Sequence, residues 1–402
     1  MSKETFFSII LPVYNAESTI FRSITSVLNQ NYNNFELIII NDASTDKTSK
    51  ICKKFKNNKN IKFLNNRKNL GVSKSRNKAI KYATGKYIIF LDSDDYFLEK
   101  FLFDLNKLTI NKSHKIIVAN NIFIKKKISN KKLFIELFKK NKLSYFCWNY
   151  IVNRDYLMKK KMFFNDLKVF EDHLFVLKLL TSIKRCQFFR KKFIVRNETF
   201  GSLGRLTNYQ SAFSYLKNLF EINKLRKKIK NKIMYNFLSK RFDEYKNYLK
   251  LYSLILNQKE KNLFAHNCVK MINPKKNYKF FLEKINIHQK ENRTIFINMI
   301  DKTNTRNRKS VYLYSASRHS RILIKLLNIK FIKVIDQNIN FIGKNLFGIK
   351  ILSSKKFIKF QNKVLFVPRN INVKKKILLK IGFKKEDIKF YSFNLKTNLF
   401  DI

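Results

Sequence analysis

The first hundred residues constrain this chain most. Apolar runs of strand length alternate there with segments of helical spacing, and a polar cluster closes several of the runs. Phe7 to Val13 reads as a short buried strand, and Phe35 to Ile40 as a β-rich run closed by Asn41-Asp42. Ile61 to Leu64 reads as a third strand, and Tyr87 to Leu91 as a fourth that ends in Asp92-Ser93-Asp94-Asp95. Between them, Ser18 to Gln30 places Ile20, Ile24, Val27 and Leu28 on one helical face. Ser44 and Thr45 are expected to cap a helix running to about Lys56, and Ser73 to Ala83 reads as a helix stopped by Gly85. Strands alternating with helices predict a mostly parallel sheet with flanking helices, an α/β class. Ligands of such sheets sit at the carboxyl ends of the strands. Tyr14-Asn15, Asn41-Asp42 and Asp92-Ser93-Asp94 all fall there.

The residue types at those ends suggest a chemistry. Asp92 and Asp94, one residue apart just past a strand, can both reach a hard cation. Mg²⁺ and Mn²⁺ prefer oxygen ligands and bridge to phosphate oxygens, so the metal would neutralise a departing diphosphate. A solvated acidic loop is the plainer alternative, but an acidic cluster stands out in a chain with a net charge of +58. Asp42 can accept from a base-ring N–H or cap the following helix. Pro12 is expected to mark the exit of the first strand, and Tyr14 offers a ring face to a nucleobase or ribose. Gly71 permits a close approach or a positive φ. Arg76, on the helix after it, can face Asp42 or a nucleotide. The pair Glu171-Asp172 can supply a general base or simply favour the first turn of a helix. His173 reads as a packing residue.

The remaining chain is less regular. Strands are expected near 116–124 and 188–196, and a basic, aromatic helical region from about 208 to 270. An Asn- and Lys-rich linker is expected near 273–308, and a final α/β unit opens at Val311. This gives three expected domains: 1–207, 208–308 and 309–402. Lys and Arg total 85 against 27 acids. With Gly at 7 and Pro at 3, most of that excess reads as compositional drift, although the basic helices also suit an anionic membrane surface. No RRM, helix-turn-helix, KH or OB pattern appears and the basic residues are dispersed, so no specific nucleic-acid partner is expected. The four cysteines have no C-x-x-C spacing, which argues against zinc or a disulfide framework. The start lacks an apolar signal region, and no apolar run is long enough to span a bilayer, so a cytoplasmic protein, soluble or peripheral at the inner membrane, is expected.

Taken in order, these segments resemble the family 2 glycosyltransferases of GT-A fold. The likeness runs through Ser8 to Asn15, Ile40 to Asp46, Asn69 to Ser73 with Arg76-Asn77, Gly85 to Asp95, and Glu171-Asp172, covering about 1–205. It implies an inverting transfer of a hexosyl or N-acetylhexosaminyl group. The donor would be a nucleotide sugar, UDP-linked by expectation, and the acceptor a glycan or lipid-linked glycan of bacterial surface polysaccharide, capsule or lipo-oligosaccharide. In such enzymes Pro12, Tyr14, Asn15 and Glu17 would border the nucleotide, and Asp42 would hold the base. Gly71, Arg76, Asp92 and Ser93 would complete the donor site, with Asp94 and Asp92 at Mn²⁺ or Mg²⁺ and Asp172 as general base. The family often has Asp-Asp-Gly-Ser where this chain has Asn41-Asp42-Ala43-Ser44. Arg196 with Gly201-Ser202 resembles the segment that closes over the diphosphate. The tail from 309 looks like small Rossmann-like units, with Ser315-Ala316-Ser317 where glycines are usual; a structural or oligomer-forming role is expected of it.

Overall fold

The computed structural model describes residues 4–119, 135–137, 143–183, 186–197, 208–272, 276–304, 310–314, 318–327, 333–336, 341–347, 349–353, 363–368 and 388–391. The chain divides into two compact units, Met1–Asn197 with Glu221–Arg241, and Glu198–Phe220 with Phe242–Ile402.

A seven-stranded sheet organises the first unit. Its strands are β1 (Phe7–Val13), β2 (Phe35–Asn41), β3 (Ile61–Asn65), β4 (Tyr87–Phe90), β6 (Ile116–Ala119), β7 (Tyr150–Asn153) and β8 (Gln187–Phe189), in the order β3-β2-β1-β4-β7-β6-β8. The first four are parallel, and β7 runs antiparallel to both β4 and β6. β5 (Tyr96–Phe97) and β9 (Ile194–Val195) form a separate antiparallel ribbon, so the strand expected over 188–196 is two short ones. Every residue of β1 and β2 is buried, as a strand covered on both faces requires. Glu36, the one charge in that pair, is tolerated because it is fully engaged. It accepts from Ser8 Oγ at 2.6 Å, Thr84 N at 2.6 Å and Thr84 Oγ1 at 2.8 Å, and pairs with Lys62 at 2.6 Å.

Three local expectations are corrected. Pro12 does not mark the strand's exit; it lies within β1, in register with Ile40. Ile10 O accepts from Leu91 N, so two residues on, the Pro12 nitrogen faces the same side, where pairing with β4 has already ended. The helix Thr48–Lys53 has Lys47 at its N-cap position, and Asp46 Oδ1, just before it, accepts from Thr48 N at 3.0 Å. Ser44 and Thr45 instead donate their hydroxyls to Asn41 and Asn15. The expected linker near 273–308 contains one helix of 27 residues, Tyr278–Asn304.

In the second unit a six-stranded sheet has the order β12-β13-β11-β10-β14-β15. These are β10 (Ser310–Tyr314), β11 (Lys333–Asp336), β12 (Asn345–Leu346), β13 (Ile349–Ser353), β14 (Lys363–Pro368) and β15 (Ile388–Tyr391). All pairs are parallel except β12 with β13. The parallel order β13-β11-β10-β14-β15 is that of a doubly wound α/β sheet, matching the Rossmann-like unit expected of the tail. Ser315-Ala316-Ser317 lies outside the described residues.

Candidate active site

Three loops leave the carboxyl ends of β1, β2 and β4, and each is held by side chains of the expected motifs. Asn15 takes a left-handed backbone, φ 47°, which Asn tolerates better than most residues. Its N–H donates to Ser44 Oγ at 3.1 Å and its Oδ1 accepts from Thr45 N at 2.8 Å. Glu17 accepts from Lys47 N at 2.9 Å. Asn15 and Glu17 thus tie the first loop to the second and leave the Tyr14 ring 48% exposed at the strand end. Ala43, where the family often has Gly, also sits at positive φ, 59°.

Asp42 is buried, and its carboxylate organises the loop after β3. Oδ1 accepts from Asn66 Nδ2 at 2.7 Å and Leu70 N at 2.9 Å, while Oδ2 accepts from Gly71 N at 2.8 Å. It does not cap the helix after β2. Gly71, at φ 87°, begins the helix Val72–Tyr82 that carries Arg76.

Arg76 is the hub of the site, and it faces neither Asp42 nor open solvent. Its guanidinium is 4% exposed, with Nη1 donating to Glu171 Oε1 at 2.5 Å and Nη2 to Asp92 Oδ1 at 2.6 Å. One cation therefore joins the acidic loop after β4 to the helix Glu171–Thr181, 95 residues away in sequence. Two locks keep the intervening segment in place. Asn77 exchanges two hydrogen bonds of 2.8 Å with the backbone of Phe164, and Ser73 Oγ donates to Leu167 O at 2.9 Å. Phe170, immediately before that helix, has φ 58°, a costly conformation for an aromatic residue, and it sets the turn that presents Glu171 and Asp172.

The two acids of that pair have different surroundings. Glu171 is committed to Arg76. Asp172 stays 15% exposed, and burial together with the Glu171 carboxylate holds its pKa well above the usual carboxylate range, with Arg76 opposing. A carboxylate raised in this way is a stronger base than an ordinary one, and this one is still open to a ligand. His173 packs its ring between Tyr145 and Phe170, at 4.7 and 5.3 Å between centroids, as a packing residue should.

The loop Asp92-Ser93-Asp94-Asp95 is fastened from the helix Ile20–Leu28. Ser23 Oγ contacts Ser93 O at 2.9 Å and Asp95 O at 2.6 Å, and Arg22 donates to Asp94 O at 3.2 Å. Asp95 is 3% exposed and accepts from Asn197 N at 3.0 Å. Burial, then the charges of Asp92 and Asp94, push its pKa up to about 7. A divalent cation held by Asp94 and Asp92 would relieve the repulsion among these carboxylates. Among the described residues no three His, Cys, Asp or Glu side chains are placed together to hold a metal ion. Asp94 and Asp92 would therefore share the ion with water and ligand oxygens. Sequence reasoning passed over Ser23, a lone polar residue on an apolar helix face, and Asn66, one of several in a polar loop, and gave Asp95 no role of its own. Arg196 is exposed, with its guanidinium 4.7 Å from the Phe146 ring and 5.7 Å from that of Trp148. Gly201-Ser202 lies outside the described residues.

The sequence matches the family described as glycosyl transferase family 2 over residues 8–173. That span opens in β1 and closes on the Glu171-Asp172 pair. An Escherichia coli protein named UDP-Glc:alpha-D-GlcNAc-diphosphoundecaprenol beta-1,3-glucosyltransferase WfgD is 44% identical over 115 residues, 29% of this chain and 42% of that protein. The minor teichoic acid biosynthesis protein GgaB of Bacillus subtilis is 41% identical over 131 residues, 31% of this chain and 14% of that one. This chain thus spans less than half the length of these curated relatives. Among solved structures, Staphylococcus aureus TarS 1–349 in complex with UDP-GlcNAc superposes with a TM-score of 0.54 at 22% identity, covering 66% of this chain and 80% of that one. At that identity the superposition speaks for the fold alone. Residues 8–173 of this chain match the family 2 glycosyltransferases, and the mostly parallel sheet with flanking helices that carries them is GT-A-like.

Proposed function

We propose that the chain transfers a hexosyl or N-acetylhexosaminyl group, with inversion, from a UDP-linked sugar to a glycan or lipid-linked acceptor in bacterial surface-polysaccharide synthesis. The observation that carries this reading is the Arg76 bridge. By binding Glu171 Oε1 and Asp92 Oδ1, it joins the acidic loop after β4 to the helix that presents Asp172. Asp172 takes the proton of the acceptor hydroxyl as that oxygen attacks the anomeric carbon from the face opposite the diphosphate. Asp94, with the second oxygen of Asp92, would hold Mn²⁺ or Mg²⁺, which when bound neutralises the leaving diphosphate. Tyr14, Asn15, Glu17 and Ser93 stand at the strand ends where the nucleoside would lie. Pro12 and Asp42 act from behind, Asp42 by fixing Leu70 and Gly71. The names of the curated relatives, one acting on a diphosphoundecaprenol-linked sugar and one in teichoic acid synthesis, support a lipid-linked or polymeric acceptor. We place the catalytic domain at 1–207, a basic helical region at 208–308 and the Rossmann-like domain at 309–402, with a structural or oligomer-forming role for the last. No described helix is long and apolar enough to cross a membrane. Contact with an anionic membrane face would rest on the basic helices.

The test is transfer from UDP-glucose or UDP-N-acetylglucosamine to a synthetic GlcNAc-diphospholipid, with the product anomer read by NMR. An inverted linkage, lost in Asp172→Asn, is the expected result. A retained linkage would overturn the reading.

A further inference from the structure

The second unit contains a concave site of about 470 Å³ where the turn 254–257 meets the helices Gln258–Met271, Tyr278–Asn304 and Arg318–Leu327. Its lining includes four cations, Lys261, Lys290, Arg293 and Lys325, and no carboxylate. Several acceptors at its wall are already used within the protein. Gln289 Nε2 donates to Ser253 O at 2.8 Å and Leu256 O at 3.0 Å, Lys261 Nζ donates to Asn286 Oδ1 at 2.6 Å, and Asn257 Oδ1 accepts from Glu260 N at 2.9 Å. Glu260 is itself turned to Asn257 N at 3.0 Å in a closed capping box. The wall therefore presents donors and positive charge to whatever enters.

We infer that this cavity binds a phosphate or diphosphate group. Four like charges around one concavity repel one another, and a multiply charged anion reverses the sign of that energy. Arg293 brings a planar fork that grips two oxygens, while the lysines act as point charges. The positive N-terminus of Gln258–Met271, a helix of 14 residues, lies in the same wall. Burial lowers the pKa of Lys261 and, against the Glu260 charge, that of Lys325, whose ammonium also lies 4.8 Å from the Phe347 ring. The cavity exceeds the needs of one phosphate, so the group enters attached to a larger body. Its source is either a soluble diphosphate compound or the headgroup of an anionic lipid. All the lining residues belong to the second unit, so the inference does not depend on the donor site in the first.

The experiment uses the full chain, the double variant Lys290→Gln/Arg293→Gln, and a control, Lys56→Gln/Lys59→Gln, with the same loss of charge from exposed positions in the first unit. Lys290 and Arg293 are exposed, so melting temperatures should match across the set. Inorganic pyrophosphate is titrated calorimetrically in EDTA, and flotation is measured on vesicles containing phosphatidic acid. Removing two of +58 charges barely alters non-specific attraction, so only a built site separates the variants. Pyrophosphate affinity reduced about tenfold or more in the cavity variant but not in the control supports a soluble ligand. Reduced flotation of the cavity variant alone supports a lipid headgroup. Identical behaviour of the two double variants in both assays overturns the inference.

Discussion

Replacing Arg76 with Met removes the charge while keeping most of the volume. The guanidinium is 4% exposed, and its loss strands Glu171, 11% exposed at its side chain, beside the raised carboxyl of Asp172. Breaking a buried pair in this way costs ~3–5 kcal/mol. The Asp92 half contributes the smaller share because that carboxylate is 35% exposed and screened by water. The cost also depends on pH. Without Arg76 the Asp172 carboxyl, already raised by burial and by the Glu171 carboxylate, loses the cation that opposes this rise, so its folded pKa climbs further above its unfolded value. The folded variant then binds more protons than the unfolded chain, and its stability falls as pH rises through that interval. The chain has one tryptophan, Trp148, buried in the first unit, so its fluorescence follows the unfolding of the catalytic unit alone. In urea titrations Arg76→Met should lose ~3–5 kcal/mol at pH 8 and clearly less at pH 5.5. A loss below ~1 kcal/mol at pH 8, or an equal loss at both pH values, would refute the role assigned to Arg76.

Asp95 gives a second pH signature. With its folded pKa near 7 against an ordinary 3.8, it contributes stability below about 4 that disappears as pH rises to 7. Urea midpoints should fall over that window by at most ~4 kcal/mol in free energy, and Asp95→Asn, which can still accept from Asn197 N, should flatten the fall. Asp172→Asn should lower kcat about a hundred- to ten-thousand-fold in a sugar-transfer assay with little change in KM for the donor, and without loss of stability, since it removes a charge that burial disfavours. Two glycines should differ in kind by thermal melting. Gly85→Ala places a Cβ 2.6 Å from the Ser8 backbone nitrogen and should be severe, whereas Gly71→Ala meets open space and should cost ~1–2 kcal/mol from its positive φ alone.

The alternation of β1 to β4 with their helices was legible because a parallel sheet buried on both faces demands unbroken apolar runs such as Ile38-Ile39-Ile40. The acidic loop and the Glu171-Asp172 pair were legible as chemistry set just outside such runs. The partners of Arg76 were not, because ion pairs across 16 and 95 residues leave no periodic mark. Asp42 shows the same limit: a lone carboxylate does not reveal that it holds three donors of a later loop. The helix Tyr278–Asn304 was concealed by its own core. Its buried stripe runs through Phe281, Ile285, His288, Asn292 and Phe296, so among the described residues two of five inward positions are polar and the apolar period is broken. His288 is accommodated there as a neutral ring at Lys250 O, its pKa lowered to about 4 by burial.

The central claim is that the first unit holds a nucleoside diphosphate through a divalent ion at Asp94. The direct measurement is a thermal-shift panel of UDP, GDP, CMP and NAD, with and without Mn²⁺, on the wild type and Asp94→Ala. The account predicts Mn²⁺-dependent stabilisation by UDP that is lost in Asp94→Ala. No stabilisation by any nucleotide with metal present, or equal stabilisation of the variant, would contradict it.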